Sequence, residues 1–285
     1  MRIQLNWFGE KLATRLADIE SGRIAPAAPR DAATVVILRT AADGAGVEVL
    51  MLRRPAAMKF APGAYVFPGG SVDPDDYGAV VSWHGPSPAE FGARLGASAA
   101  VAWALVCAAV RETFEESGVL LAGAPDGGPL AVPAGPSWDA ERAALASGAL
   151  SLWELLAARG LVLRADLLVP WARWITPEGE PRRFDARFFA AALPDGQQAV
   201  GDEAEAEHVA WLRPASAIDA ARAGEISLLP PTAATLSQLA SAVAAGAGLN
   251  EILATRRVIE PVCPRLVLED GQAWLVIPDG VGYPL

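Results

Sequence analysis

The segment Arg111-Glu112-Thr113-Phe114-Glu115-Glu116-Ser117-Gly118-Val119 carries the densest chemistry in the chain. On a helix, Glu112, Glu115 and Glu116 stand at i, i+3 and i+4 and share one face, with neighbours about 5–6 Å apart. Carboxylates that close repel one another in water. A divalent cation that prefers oxygen removes the repulsion and holds them together. Arg111 is placed to pair with an acid and orient it. The other reading is a solvated acidic face, the usual meaning of a charge run. Two features weigh against it. The acids crowd the C-terminal end of an apolar, alanine-rich helix, where they oppose the helix dipole. Upstream lies a glycine turn followed by acids, Gly69-Gly70-Ser71-Val72-Asp73-Pro74-Asp75-Asp76. Paired glycines let backbone approach a ligand or a metal shell closely.

Other residues offer weaker chemistry. Arg53, Arg54 and Lys59 are candidates for binding phosphate, or each pairs with an acid. On a strand, Arg183, Asp185 and Arg187 fall on one face and Phe184 and Phe188 on the other. The arginines either meet a substrate or form an ion-pair ladder through Asp185. Trp171 and Trp174 either stack on a base or pack in the core. His84 reads as exposed. Cys107, in an apolar run, reads as a small core hydrophobe, and with Cys263 far away in sequence neither a zinc site nor a disulfide framework is expected.

These residues need elements to position them. A helix from about Ala97 to Ser117, stopped by Gly118, carries the acids. Ala33–Leu38 and Val47–Leu52 read as strands joined through Asp43-Gly44. A short strand at Ala64–Phe67 runs into the glycine turn. Residues 77–98 read as an irregular insert holding a capping box, Ser87-Pro88-Ala89-Glu90. Val119–Ala122 reads as a short strand and 123–135 as loop. A second capping box, Ser151 with Glu154, opens a helix ending at Arg159-Gly160. Trp171–Ile175, Phe184–Ala192 and Glu207–Leu212 read as strands. Residues 5–20, Ser216–Ala223 and about Pro231–Val243 read as helices, and Pro264–Pro278 as a hairpin turning at Asp270-Gly271. Strands and helices mix without regular alternation, so the class is α+β.

The 285 residues carry 23 basic and 33 acidic side chains, a net charge of −10, and 52% hydrophobic residues. That is ample for a core. The acidic balance argues against coating nucleic acid or an anionic membrane. The apolar stretch 95–110 falls short of the ~20 residues that span a bilayer, and the N-terminus lacks the apolar run of a signal peptide. The expectation is a soluble, cytoplasmic protein.

The Arg111–Val119 segment resembles the Nudix box, Gly-x5-Glu-x7-Arg-Glu-U-x-Glu-Glu-x-Gly-U, where U is aliphatic. Arg111, Glu112, Glu115, Glu116, Gly118 and Val119 match it, and Thr113 replaces an aliphatic residue. The first half fits as Gly70 with Asp76 at the glutamate position. The halves stand 34 residues apart, Tyr77 to Val110, so the insert interrupts the box. An interrupted box resembles the coenzyme A diphosphatase-like branch. So does Leu50-Met51-Leu52-Arg53-Arg54-Pro55-x3-Lys59-x3-Gly63-x3-Phe67-Pro68-Gly69-Gly70, which keeps the spacing of that branch's upstream motif.

The resemblance implies an α/β/α sandwich around a mixed sheet. A helical extension would occupy 1–30, a Nudix domain 31–224 with its insert at about 77–98, and a C-terminal helical segment and hairpin 225–285, packed on the same domain. It implies Mg²⁺ (or Mn²⁺) held by Glu112, Glu115, Glu116 and the backbone of Gly70. Glu115 and Glu116 would be catalytic, with Glu205 of the acidic loop 202–207 as a further ligand or general base and Glu203 next in line. Arg53, Arg54 and Lys59 would bind substrate phosphate. The implied activity is hydrolysis of a nucleoside diphosphate linked to another moiety, first coenzyme A or acyl-CoA. An ADP-ribose or NADH-type substrate, or a Nudix-fold binding protein without turnover, are the alternatives. The implied partner is a small nucleotide, not nucleic acid or membrane, and a homodimer is left open.

Overall fold

The computed structural model describes residues 1–4, 10–56, 61–78, 82–128, 130–201, 208–269 and 272–285. Lys59, Glu203 and Glu205 lie outside the described residues. The centre is a mixed sheet. Arg30–Thr40 runs parallel to Phe184–Ala192 along its length and antiparallel to Val47–Arg53 at its end. Phe184–Ala192 also pairs antiparallel with Val169–Ile175, and His208–Leu212 covers the outer edge of Val47–Arg53. Arg30–Thr40 is apolar on both faces, as a central strand covered on both sides must be. Ala33, Val35 and Ile37 face one helical layer, and Val36 and Leu38 face the other.

The first layer is built on the Ala99–Ser117 helix, preceded by Pro88–Leu95 and flanked by Leu152–Arg159. The second contains Pro214–Arg222, Pro230–Ala244 and Leu249–Ala254. Ala102 and Ala104–Val110 are fully buried. Their small side chains seat the helix close to the sheet, and an apolar surface all round suits a helix covered on every side. Phe91, Leu105 and Phe114 pack in the same layer, each contributing roughly 1.5–3 kcal/mol of burial. Among the described residues no single helix is long and apolar enough to cross a membrane.

The sheet opens where the chemistry sits. Val47–Arg53 pairs with Arg30–Thr40 only through Val49, and its Leu52 and Arg53 then pair with Ala64–Val66. The vacated edge of Arg30–Thr40 is taken by Gly69–Ser71, with Gly70 opposite Ala33. The glycines read as a turn are therefore a short strand. The sequence hides this because the partner lies some 35 residues upstream and glycine is a poor strand former.

Other elements depart from expectation. The insert is not irregular: its capping box opens Pro88–Leu95, and Phe91 and Leu95 are buried in the core. The strand expected at Val119–Ala122 forms only at Ala122–Gly123. Pro136–Ala146 is a helix that the preceding Gly/Pro-rich run conceals. The C-terminal hairpin forms from Arg265–Glu269 and Gln272–Val276, and its second strand also pairs with Arg2–Gln4.

Candidate active site

Helix geometry delivers the acids. Ser98 caps the N-terminus of the Ala99–Ser117 helix by accepting from the Val101 N–H at 3.2 Å. At the other end Gly118 takes φ +69°, where glycine carries no Cβ penalty, and donates to the Phe114 carbonyl. Two further carbonyls of the last turn are satisfied from outside it. Val200 N–H donates to Ser117 O at 2.8 Å, and Arg142 Nε donates to Glu115 O at 2.8 Å. A cationic side chain there complements the helix dipole.

One guanidinium organises the carboxylates. Arg111 grips Asp76 through Nε at 3.2 Å and Nη2 at 2.9 Å. Its Nη1 donates to Glu112 at 2.8 Å and reaches Glu115 at 3.5 Å, while Nη2 also donates to Ser71 O at 3.0 Å. Burial alone would lower the Arg111 pKa, but the hydrogen bond to Asp76 and the charges of Glu112, Asp76 and Glu115 raise it above the ordinary guanidinium range, so the cation is permanent. Burial pushes the Asp76 carboxyl up, against the pull of Arg111 and the Asp73 amide. Asp76, expected at the first-half glutamate position, is thus the buried anchor of Arg111. Arg111 ties the residues before the insert to the helix after it.

The glycine strand receives the other two contacts. Gly69 N–H donates to Glu116 Oε2 at 2.9 Å. Gly70 lies against Glu112 so closely that a Cβ there would stand 2.6 Å from Glu112 Oε2. Gly69 (φ +155°) has no room either, since a Cβ would lie 2.7 Å from Thr34 Cα. Glu112 and Glu115 keep only 13% of their side-chain surface exposed. Glu116 and Glu112 are therefore held at the glycines, and Glu115 is drawn to Arg111 beside Glu112, none of the three being fully exposed. Among the described residues no three acidic, imidazole or thiol side chains already surround one point, and Glu112 and Glu116 turn instead to Arg111 and the Gly69 amide. The donors on offer are carboxylate and carbonyl oxygens, the set a hard divalent cation takes, and the missing Cβ of Gly70 leaves its backbone open beside Glu112.

The remaining candidates separate. Arg53 is exposed at the end of its strand, opposite His208 and Tyr65. Alternation places it with Val49 and Met51, on the face away from the acidic helix. Arg54 is half-buried and its backbone bonds to Ala64 and Gly63. Arg187 pairs with Asp31 and Asp185, and Arg173 completes the ladder on Asp185 at 2.7 Å. Arg183 donates to backbone carbonyls of Ala27 and Thr176. Trp171 and Trp174 are core residues. Cys107 is fully buried, and burial pushes its thiol pKa far up. Sequence reasoning missed Arg142, which sits in the concealed helix, and Asp73, which lies 3.5 Å from Arg111; the only signal for Asp73 was its place in the acidic run after the glycines.

This sandwich is the Nudix fold. It superposes on a crystallised Nudix hydrolase from Alicyclobacillus acidocaldarius with a TM-score of 0.65 and 31% identity, over 81% of this chain and 98% of that one. A family model described as the NUDT19 Nudix domain matches residues 89–239, and the chain belongs to that family. It is 33% identical to the acyl-coenzyme A diphosphatase NUDT19 of Gallus gallus over 65% of this chain and 58% of that protein. The human protein of the same name is 30% identical over 69% of this chain and 61% of its own length. The chain thus spans about three fifths of the length of these relatives.

Proposed function

We propose that the chain is a divalent-metal-dependent hydrolase that cleaves the diphosphate of coenzyme A or an acyl-coenzyme A to 3′,5′-ADP and (acyl-)phosphopantetheine. The observation that carries this is the gathering of Glu112 and Glu116 at Gly69–Gly70, with Glu115 held beside Glu112 by Arg111. The names of the relatives support the substrate. Glu112, Glu115, Glu116 and the Gly70 carbonyl would hold Mg²⁺ or Mn²⁺. Such an ion neutralises diphosphate charge and lowers the pKa of a water molecule.

The chain's own part is positional and acid–base. Arg111 holds Glu112 against the glycine strand and keeps Glu115 beside it. Glu115 or Glu116 takes the proton of the attacking water, with Glu205 as a further base from the acidic loop. The water oxygen bonds to one phosphorus as the bond from that phosphorus to the bridging oxygen breaks, and the second phosphate leaves with that oxygen. Arg54 and Lys59 supply positive charge for substrate phosphates, whereas Arg53, expected to do the same, lies on the sheet face away from the acidic helix.

Incubation with Mg²⁺ and a panel of coenzyme A, acetyl-CoA, ADP-ribose and NADH, with product analysis, tests the reading. Release of 3′,5′-ADP from coenzyme A or acetyl-CoA is expected. Turnover of ADP-ribose or NADH alone would replace the substrate assignment, and binding without turnover of any of them would make the chain a binding protein.

A further inference from the structure

A cleft of about 280 Å³ lies just beyond the C-terminal end of the acidic helix, lined by Arg39, Leu193, Gln197, Gln198, Ala199 and Trp211. Its link to the carboxylates is short. Val200, next to Ala199, donates its N–H to Ser117, the residue after Glu116. The cleft and the carboxylates thus meet at one end of the same helix.

The wall of the cleft is flat and pinned. The Arg39 guanidinium stacks over the Trp211 ring at 4.2 Å. Its edge is fixed by Glu48, which accepts from both Nε and Nη2 at 2.8 Å. Glu48 balances the charge of Arg39, so an anion gains little here. What is left is a planar π surface held on one face by indole, with 39% of the Arg39 side chain exposed. Guanidinium planes of this kind stack on aromatic rings. The floor is rigid as well. The buried Gln197 amide accepts from Leu120 N–H at 2.9 Å and donates to Leu120 O and Ala131 O at 2.8 and 2.7 Å. Its neighbour Gln198 is exposed at the rim, and its side-chain amide has no hydrogen-bond partner among the described residues. A glutamine amide matches the N6 donor and N7 acceptor of adenine.

We infer that this cleft binds the adenine ring of the nucleotide, stacked on the outer face of Arg39 and read at its edge by Gln198. The inference deepens the proposed function and rests on it for the nucleotide's identity. The test is equilibrium binding of AMP, GMP and inorganic pyrophosphate to the full chain in Mg²⁺, compared with Arg39→Ala and Gln198→Ala, both surface changes whose folding is checked by thermal unfolding. Arg39→Ala is expected to weaken AMP about tenfold, the scale of one lost stacking contact, and to leave pyrophosphate unchanged. Gln198→Ala is expected to narrow the preference for AMP over GMP. Equal weakening of AMP and pyrophosphate by Arg39→Ala overturns the inference. So does unchanged AMP binding, or no AMP binding by the unaltered chain at millimolar concentration. Because the readout is binding, it stands apart from turnover. A chain that hydrolyses coenzyme A with a KM indifferent to Arg39→Ala loses the base site and keeps the reaction; one that binds AMP through Arg39 without turnover loses the reaction and keeps the site.

Discussion

Two clusters of charge adjoin the Gly69–Ser71 strand, and their balance differs. In the ladder, Arg187 and Arg173 meet Asp31 and Asp185, two cations for two anions, all within 3.0 Å. At the acidic helix, among the described residues, Arg111 alone meets Asp73, Asp76, Glu112 and Glu115 within 3.5 Å, and Glu116 sits beside them on the Gly69 amide. Buried charge is tolerable when each partner finds its opposite. The ladder meets that condition by itself and acts as a strand-to-strand clamp. Among the described residues the helix cluster gathers a surplus of carboxylate over guanidinium, at the end of a helix dipole of the same sign. Carboxylates crowded in this way are the oxygen donors that attract a divalent cation, and that crowding sets the cluster apart from the ladder.

The largest effect should come from the surplus itself. Glu116→Gln removes one carboxylate charge with little change in shape, and kcat should fall by about 10²–10⁴ with an unchanged circular dichroism spectrum. Full activity would mean that the surplus has no catalytic purpose. Next come the two central arginines. Arg111→Met strands the buried Asp76 and should cost about 3–5 kcal/mol in urea unfolding; Arg187→Met takes a partner from the part-exposed Asp31 and leaves Asp185 to Arg173, and should cost less. The two should then part company, because Arg187→Met leaves Mg²⁺ affinity intact in the folded protein whereas Arg111→Met lowers it.

The glycines sharpen the contrast within one strand. At Gly70 a methyl group meets the mobile end of Glu112, so Gly70→Ala should leave the fold standing and weaken Mg²⁺ about tenfold by displacing that carboxylate. A tenfold loss corresponds to about 1.4 kcal/mol. At Gly69 the same change meets backbone of Ala33 and Thr34, and should lower the unfolding temperature instead. The smallest effect serves as a control away from both clusters. Ser151→Ala removes the cap that bonds Glu154 N–H, and should cost about 1 kcal/mol of stability with no change in activity.

The parts legible in the sequence were those specified locally. The acidic helix, its Gly118 stop and both capping boxes depend on residues within four positions of one another, and the structure forms each where the spacing placed it. The parts that stayed hidden depend on partners far along the chain. Gly69–Ser71 becomes a strand only because Arg30–Thr40 has a free edge there. Arg2–Gln4 becomes one through Gln272–Val276. Arg187 offered two readings until Asp31, 156 residues away, was seen to accept its hydrogen bond. The site followed the same rule. The acidic trio could be read from one helix, whereas Arg111 could be given only an unnamed acid, and its hold on Asp76 across the insert emerges only in the fold.

The most direct test of the account is a calorimetric titration of Mg²⁺ into the folded chain, into Glu112→Gln/Glu116→Gln and into Asp185→Asn. Saturable binding that disappears in the paired glutamine variant and persists in Asp185→Asn is the predicted result. Affinity that survives loss of both glutamates, or that falls equally when the ladder is cut, would contradict it.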